Sequence, residues 1–306
     1  MSSTDTRPTP SAVADRVAVA AGDGLHLGGA TAPSLAGTAI TAIAPEEGVL
    51  WALADRRDLL RIDGGTAEPV ATLAGRVGVC VHAHQGRVFV GGDDAGLWVL
   101  GDGALEPVEA FAQAPTSADW HTPWGGPPSV FSMASLGDDL FVSVHVGGIL
   151  RSSDGGQSWE ATIDLHEDVH QVAADPAAGT LWAATGTSGL AGSADRGRTW
   201  DHHTDGLHAT YLLAVAVTDA GILVGASSGH AGRDGAVQLF DGSRFHRPDG
   251  LPAQLGGAVG PRHLVGDGGA AAVLLPDGSL FVSDDGGRHW DHGGGPFDSP
   301  AEVRVR

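Results

Sequence analysis

Histidine is the residue type with the most to offer chemically in this chain, which has 15 histidines among 306 residues. Neutral imidazole nitrogens are good ligands for divalent first-row metals such as Fe, Cu and Zn. We expect the fold to assemble a metal site from separate segments of the chain. The first three of the following candidates are the expected core ligands, and the others are candidates for a fourth: His145, His170, His263, His121, His208 and His230. The alternative is that these histidines are scattered and solvated.

Acidic and phenolic groups near these histidines could support catalysis. Carboxylates often orient metal-bound imidazoles, and four acids are close in sequence to the candidates: Asp119, Glu167, Asp168 and Asp234. Tyr211, the only tyrosine, follows His208 closely and is a candidate proton donor. We therefore predict a catalytic group of Tyr211, His208 and Asp234, with simple packing of the tyrosine between strands as the alternative.

Two further features suggest that a substrate is bound near these residues. A segment over residues 112–129 is longer than its counterparts and carries Trp120 and Trp124, which could cover a substrate or only pack the loop down. Arg233 and Arg262 could hold an anionic group, or could offset local acidic charge. Both pairs are predicted to bind substrate.

Three ungapped segments of eight residues show which elements must position these side chains. They are Ser152–Trp159, Ser193–Trp200 and Ser283–Trp290, and each has Ser, Asp, Gly and Trp at positions one, three, five and eight. We call them the Ser-Asp-Trp turns. Glycine suits strained turn positions, Asp can accept backbone N–H groups, and Trp can pack between sheets. Their structural residues are Asp154, Trp159, Asp195, Trp200, Asp285 and Trp290.

The pattern of these turns resembles the Asp box of bacterial neuraminidase repeats, with His289 where the motif has Thr or Ser. The resemblance is to the sialidase superfamily, and it implies a β-propeller fold. It does not imply a standard sialidase. That activity would need an arginine triad, a Tyr–Glu pair and usually an Arg-Ile-Pro motif. Here Arg61-Ile62-Asp63 breaks that motif, and Tyr211 has no evident Glu partner.

The spacing of the turns fits four-stranded blades. Asp154 and Asp195 are 41 residues apart, and Asp195 and Asp285 are 90 apart, which is two units of 45. We predict an all-β protein, a β-propeller of seven four-stranded blades over residues 16–306, preceded by a disordered tail over residues 1–15. Strands from both termini would close the seventh blade, and six blades with a loose N-terminal extension is the alternative.

A propeller has two faces, and the strand order sorts the histidines between them. We call the strands of a blade A to D from the channel outward. The top face carries the D–A connections and B–C loops, and the bottom face carries the A–B and C–D turns, including the Ser-Asp-Trp turns. His145, His170 and His263 are expected to point toward the channel at the top. The chemistry is therefore predicted on the face away from the repeated motif.

Composition limits the classes of partner. The net charge of −20 repels nucleic acid and anionic membranes, so neither is expected as a partner. No apolar stretch is long enough to span a bilayer, and no signal peptide is evident, which predicts a cytoplasmic protein. The single cysteine excludes an internal disulfide.

We predict a metal-dependent enzyme acting on a small and possibly anionic molecule. Its divalent metal would lie at the top-face mouth of the channel. A non-catalytic propeller that binds a protein or ligand is the alternative, and a glycosidase-like hydrolase comes third.

Overall fold

Short apolar runs separated by glycine-containing turns form antiparallel strands throughout the part of the chain that the structure describes. The computed structural model describes residues 12–28, 30, 32–122 and 125–306. In the first half of the chain the strands are β1 (Val17–Ala21), β2 (Gly24–Leu27), β3 (Ile40–Glu46), β4 (Val49–Ala54), β5 (Asp58–Asp63), β6 (Thr66–Thr72), β7 (Gly78–His84), β8 (Arg87–Gly92), β9 (Leu97–Leu100), β10 (Leu105–Pro107), β11 (Val130–Leu136), β12 (Asp139–Val144), β13 (Gly148–Ser152) and β14 (Glu160–Ala161). In the second half they are β15 (Val169–Asp175), β16 (Thr180–Thr185), β17 (Leu190–Ser193), β18 (Asp201–His203), β19 (Tyr211–Thr218), β20 (Gly221–Ser227), β21 (Ala236–Phe240), β22 (Phe245–His246), β23 (Leu264–Asp267), β24 (Ala270–Leu274), β25 (Leu280–Ser283), β26 (Asp291–Gly294) and β27 (Glu302–Val305). A one-turn helix, α1 (Glu109–Ala112), and 3₁₀ turns at Ala14–Arg16 and Ser117–Asp119 are the helical elements of the described ranges.

The strands form the predicted ring of seven blades. Blades 1 to 6 are the four-stranded sheets that start at β3, β7, β11, β15, β19 and β23. In the seventh blade the described residues form three strands in the order β2-β1-β27, so strands from both ends of the chain close the ring. Each innermost strand contacts the innermost strand of the next blade, and β27 lies between β23 and β3. The prediction of seven blades closed by terminal strands is confirmed.

The core lies between adjacent blades, where small and branched side chains alternate along each sheet. Ala18, Ala20 and Ile43 are fully buried between the seventh and first blades, for example. Val13 also packs into the core beside Val17. The predicted tail is outside the described residues over positions 1–11. Among the described ranges, no helix is long and apolar enough to cross a membrane.

The Ser-Asp-Trp turns have one hydrogen-bond pattern. In blade 3, Ser152 Oγ donates to Asp154 Oδ1 (2.8 Å) and accepts from the backbone N–H of Gly156 (2.8 Å). Asp154 Oδ1 also accepts from the N–H of Ser158 (2.9 Å), and Trp159 Nε1 donates to the Gly156 carbonyl (3.2 Å). Equivalent bonds recur in blades 4 and 6. Because each turn satisfies its own polar groups, the indole is free to pack against the preceding blade.

A β-bulge near the start of the innermost strand recurs in blades 1 to 5. The register of the A strand on the B strand shifts at its second or third residue in each case. The residues skipped by the pairing are Thr41, Val79, Phe131, His170 and Leu213. A bulge redirects a side chain out of the regular alternation of a strand. These five positions therefore form an equivalent set around the top of the channel, and two of them belong to the candidate site.

Candidate metal centre

Two histidines and one carboxylate from blades 3 and 4 meet at the top face. His145 lies in the B–C loop after β12, Asp168 ends the connection into β15, and His170 is the bulged residue of β15. His145 Nε2 is 3.0 Å from Asp168 Oδ1, and His170 Nε2 is 3.4 Å from Asp168 Oδ2. One ligand atom from each of the three residues lies within 4.8 Å of the others. We call His145, Asp168 and His170 the His-Asp-His cluster.

A backbone contact sets the orientation and tautomer of His170. Its Nδ1 lies 2.7 Å from the Leu212 carbonyl oxygen, which can only accept, so Nδ1 carries the proton. Burial lowers the pKa of His170, and the nearby Asp168 charge and the bond to Leu212 oppose this only in part. The neutral ring therefore presents the lone pair of Nε2 to Asp168. Metal-bound histidines are commonly held in this way, with the second ring nitrogen donating to a carbonyl.

Asp168 faces this lone pair as a carboxylate. Burial by itself would raise its pKa, but the contacts with His145 and His170 outweigh this effect and hold the net pKa below the usual value. Its side chain is 24 % exposed, so solvent reaches the cluster. Gly186 makes room for it, because a Cβ atom there would lie 2.2 Å from Asp168 Oδ2.

Aromatic side chains hold the ring of His145 in place. Phe131, the bulged residue of β11, stacks on it with ring centroids 4.7 Å apart and planes at 17°. Trp120 packs against Phe111, and its Cδ1 lies 2.8 Å from where a Cβ on Gly147 would be, beside the loop that carries His145. Trp120 thus supports the His145 loop. Sequence reasoning had no signal for Phe131, since the bulge that turns it toward the histidine appears only in the pairing register.

Tyr211, the first residue of β19, completes the surroundings of the cluster. Its hydroxyl lies 3.3 Å from His170 Nε2, and the two rings are 5.0 Å apart. Burial, followed by the negative charge of Asp168, raises the pKa of the phenol, so the hydroxyl keeps its proton at neutral pH. A protonated phenol beside the cluster can act as a proton donor.

The remaining predicted histidine ligands lie outside the cluster. His263 hydrogen-bonds to the backbone of Pro300 and Ala301, and burial lowers its pKa to about 4. His121 is exposed and its Nδ1 contacts the Asp119 carbonyl at 2.8 Å. His230 is exposed in the B–C loop of blade 5. The structure therefore brings together His145 and His170 from the predicted set, with Asp168 as the third member.

The other predicted groups are divided between separate places. His208 Nε2 pairs with Asp234 Oδ2 at 3.2 Å, and both line an open recess on blade 5 together with Arg233. Arg262 instead lines the central channel. Trp124 lies outside the described residues. Tyr211 is the one member of the predicted catalytic group that contacts the His-Asp-His cluster.

The comparisons with known proteins support the fold but do not identify a family or a function. No family profile and no curated protein matches the chain. Among solved structures, YCF48 from Cyanidioschyzon merolae is 17 % identical with a TM-score of 0.57, over 83 % of this chain and 84 % of that one. BamB from Moraxella catarrhalis is 14 % identical with a TM-score of 0.51, over 92 % and 84 %.

A GH74 xyloglucanase from Xanthomonas campestris is 17 % identical with a TM-score of 0.59; the match spans 83 % of this chain but 45 % of the xyloglucanase. At these identities the similarities show the fold alone, and the same fold carries unrelated activities. The chain is a seven-bladed β-propeller.

Proposed function

We propose that the His-Asp-His cluster binds one divalent first-row metal ion and that the protein is a metal-dependent enzyme acting on a small molecule. The observation that carries the proposal is the position of Asp168. Its two oxygens lie 3.0 and 3.4 Å from the Nε2 atoms of two different histidines. The tautomer of His170 leaves a lone pair facing a carboxylate, an arrangement that a cation between them stabilises.

The donor set favours particular metals. Two imidazoles and one carboxylate suit Fe(II), and the same types of ligand bind catalytic Zn(II). Cu(II) is the third candidate. Three protein ligands leave coordination positions open for water or substrate, whereas a structural zinc site is normally closed by four. A metal bound in this way supplies Lewis acidity or an activated water.

The protein's own residues have distinct parts in this proposal. His145, Asp168 and His170 hold the metal, and the Leu212 carbonyl keeps His170 in the ligating tautomer. Tyr211 is placed to give a proton to a substrate bound beside His170. Solvent access at Asp168 marks the side from which a substrate would approach.

Elemental analysis tests whether the protein binds a metal ion. Protein purified without chelator, and protein reloaded with Fe(II), Zn(II) or Cu(II), is expected to hold about one ion per chain. His145→Gln and His170→Gln are expected to lose it, whereas His263→Gln, which alters a half-buried histidine outside the cluster, is expected to keep it. A wild-type protein that takes up no metal would refute the proposal and favour the non-catalytic binding propeller.

Mass spectrometry tests enzymatic turnover separately from metal binding. Metal-loaded wild type, incubated with a mixture of small metabolites, is expected to consume at least one compound that the His170→Gln variant leaves untouched. Metal binding without any such turnover would leave the site as a structural or binding centre and contradict the enzymatic part.

Gly186→Ala tests the cluster without changing a ligand. The new methyl group would overlap Asp168 Oδ2 and displace the carboxylate, so metal affinity should fall at least about tenfold, as for other changes that disturb ligand orientation. Gly229→Ala is the control, because a Cβ there meets nothing within 4 Å. Equal metal affinity of both variants, measured by competition with a chelating dye, would contradict this position for Asp168.

We also propose that the Ser-Asp-Trp turns are Asp boxes with a purely structural role. Their shared hydrogen bonds and their place on the bottom face, opposite the cluster, support this assignment. The proposal does not extend to sialidase activity. A cytoplasmic setting and a small anionic substrate remain predictions of the sequence.

A further inference from the structure

The central channel contains a second candidate site, separate from the metal cluster. The innermost strands enclose a cavity of about 360 Å³, within the usual size range of small-molecule sites. It extends from Gln171 and Arg262 to Pro45 and Asp267 near the bottom face. None of the His-Asp-His cluster residues lines it.

A polar layer forms the upper end of this cavity. The side chain of Gln171 reaches from β15 to β19, donating to the Val215 carbonyl (3.1 Å) and accepting from the Val215 N–H (3.4 Å). Gln171 Oε1 also accepts from the backbone N–H of Arg262 at 3.1 Å. Because Gln171 follows His170 along β15, this layer lies between the metal cluster and the cavity.

The interior of the channel carries more positive than negative charge. Arg262 and Arg304 both line the cavity, and both pair with the fully buried Glu302. Glu302 Oε2 also accepts from the Ile43 N–H at 2.9 Å. Arg262 donates to the Val79 carbonyl, while its buried Nε has no hydrogen-bond partner among the residues that the structure describes. Two guanidinium groups thus share one carboxylate.

The other titratable groups of the cavity do not balance this charge. Burial raises the pKa of the Cys80 thiol to about 12, so it stays neutral. Burial, followed by the charge of Arg304, lowers the pKa of His82 to about 3, so it is neutral too. Asp267 lies at the rim with a side chain 64 % exposed, and it pairs with Arg16 at 3.0 Å. One positive charge therefore remains in excess on two guanidinium side chains that are only 16 % and 24 % exposed, and a largely buried charge without a counterion is costly.

We propose that this cavity binds a small organic monocarboxylate that enters from the bottom face. The carboxylate would pair with the guanidinium groups of Arg262 and Arg304, which suit that geometry. The hydrocarbon part would contact the half-buried apolar side chains of Met133, Val217 and Val265, which line the cavity. The site is independent of the metal cluster and of the function proposed for it.

Calorimetry on the full chain tests this site with hexanoate as the probe. Wild type is expected to bind one hexanoate, and the uncharged hexanamide at least tenfold more weakly. Arg304→Gln, which leaves one guanidinium for Glu302, is expected to weaken hexanoate binding at least tenfold. Arg61→Gln, which removes an exposed arginine of β5, is the matched control and should bind as wild type does.

Three outcomes of the hexanoate experiment would overturn the proposal. They are no binding of hexanoate, equal binding by Arg304→Gln, and equal binding of hexanamide. Tighter binding of inorganic phosphate than of hexanoate would replace an organic carboxylate by a phosphate ligand and would also overturn it. If Arg304→Gln does not fold, the comparison of hexanoate with hexanamide on wild type decides, with the NMR signals of the His82 ring reporting occupancy of the cavity.

Discussion

Replacing Asp168 with asparagine is expected to lower the affinity for a divalent metal on the order of 100-fold or more while the propeller stays folded. Asparagine has the same shape, but it has no negative charge to offer a cation and one fewer oxygen. Co(II) titration followed by visible absorption measures this affinity and reports the ligands through the band positions. Thermal unfolding measured without metal checks that the fold is unchanged.

Asp234→Asn is the matched control for this experiment. Asp234 also pairs with a histidine, His208, at 3.2 Å, but no second imidazole joins that pair to form a cluster among the described residues. The control variant should therefore bind Co(II) as tightly as wild type. If Asp168→Asn and wild type give the same titration, the carboxylate is only an orienting partner of the histidines and is not a ligand.

Trp290→Ala is expected to destabilise the propeller severely, with a loss of about 3–5 kcal/mol in the free energy of unfolding. Trp290 is 1 % exposed and packs with Leu223 and other residues of blades 5 and 6. Its removal would leave a large cavity between these blades, and the Gly287 carbonyl oxygen would lose the hydrogen bond that it accepts from the indole. Total stability is commonly about 5–15 kcal/mol, so the variant should unfold at a much lower urea concentration.

Trp200→Ala provides the internal comparison. Trp200 occupies the same position of its turn in blade 4 but is only half-buried, so less apolar surface is lost. Its variant should be clearly more stable than Trp290→Ala under urea. Equal losses would mean that the hydrogen bonds of the turn, rather than burial of the indole, determine the effect.

The sequence was sufficient to predict the architecture because the repeat is local. Each Ser-Asp-Trp turn marks the connection between strands C and D of a blade. The fixed spacing between the turns then places all the remaining strands. Closure of the seventh blade by strands from both ends of the chain was predicted from the same strand order, and β1 and β27 form that closure. Each of these inferences needed only short segments and their order along the chain.

The candidate site was predictable only in part because it depends on register. His145 and His170 were placed at the same end of the channel by counting strands, but the bulge that turns His170 and Phe131 out of alternation has no sequence signature. β23 pairs with β24 in unbroken register from Leu264, which leaves His263 ahead of the strand. Its ring therefore bonds to the backbone of Pro300 and Ala301.

The seam between β1 and β27 controls when the ring can form. Val17 pairs with Val305, at almost opposite ends of the sequence, and β27 is translated after every strand it must join. The ring therefore cannot close until synthesis has passed residue 305, and because this pairing joins residues so far apart in sequence, we expect its formation to be slow. Since β27 also carries Glu302 and Arg304, an anion bound in the channel would stabilise the closed ring against separation of β27 from its neighbours.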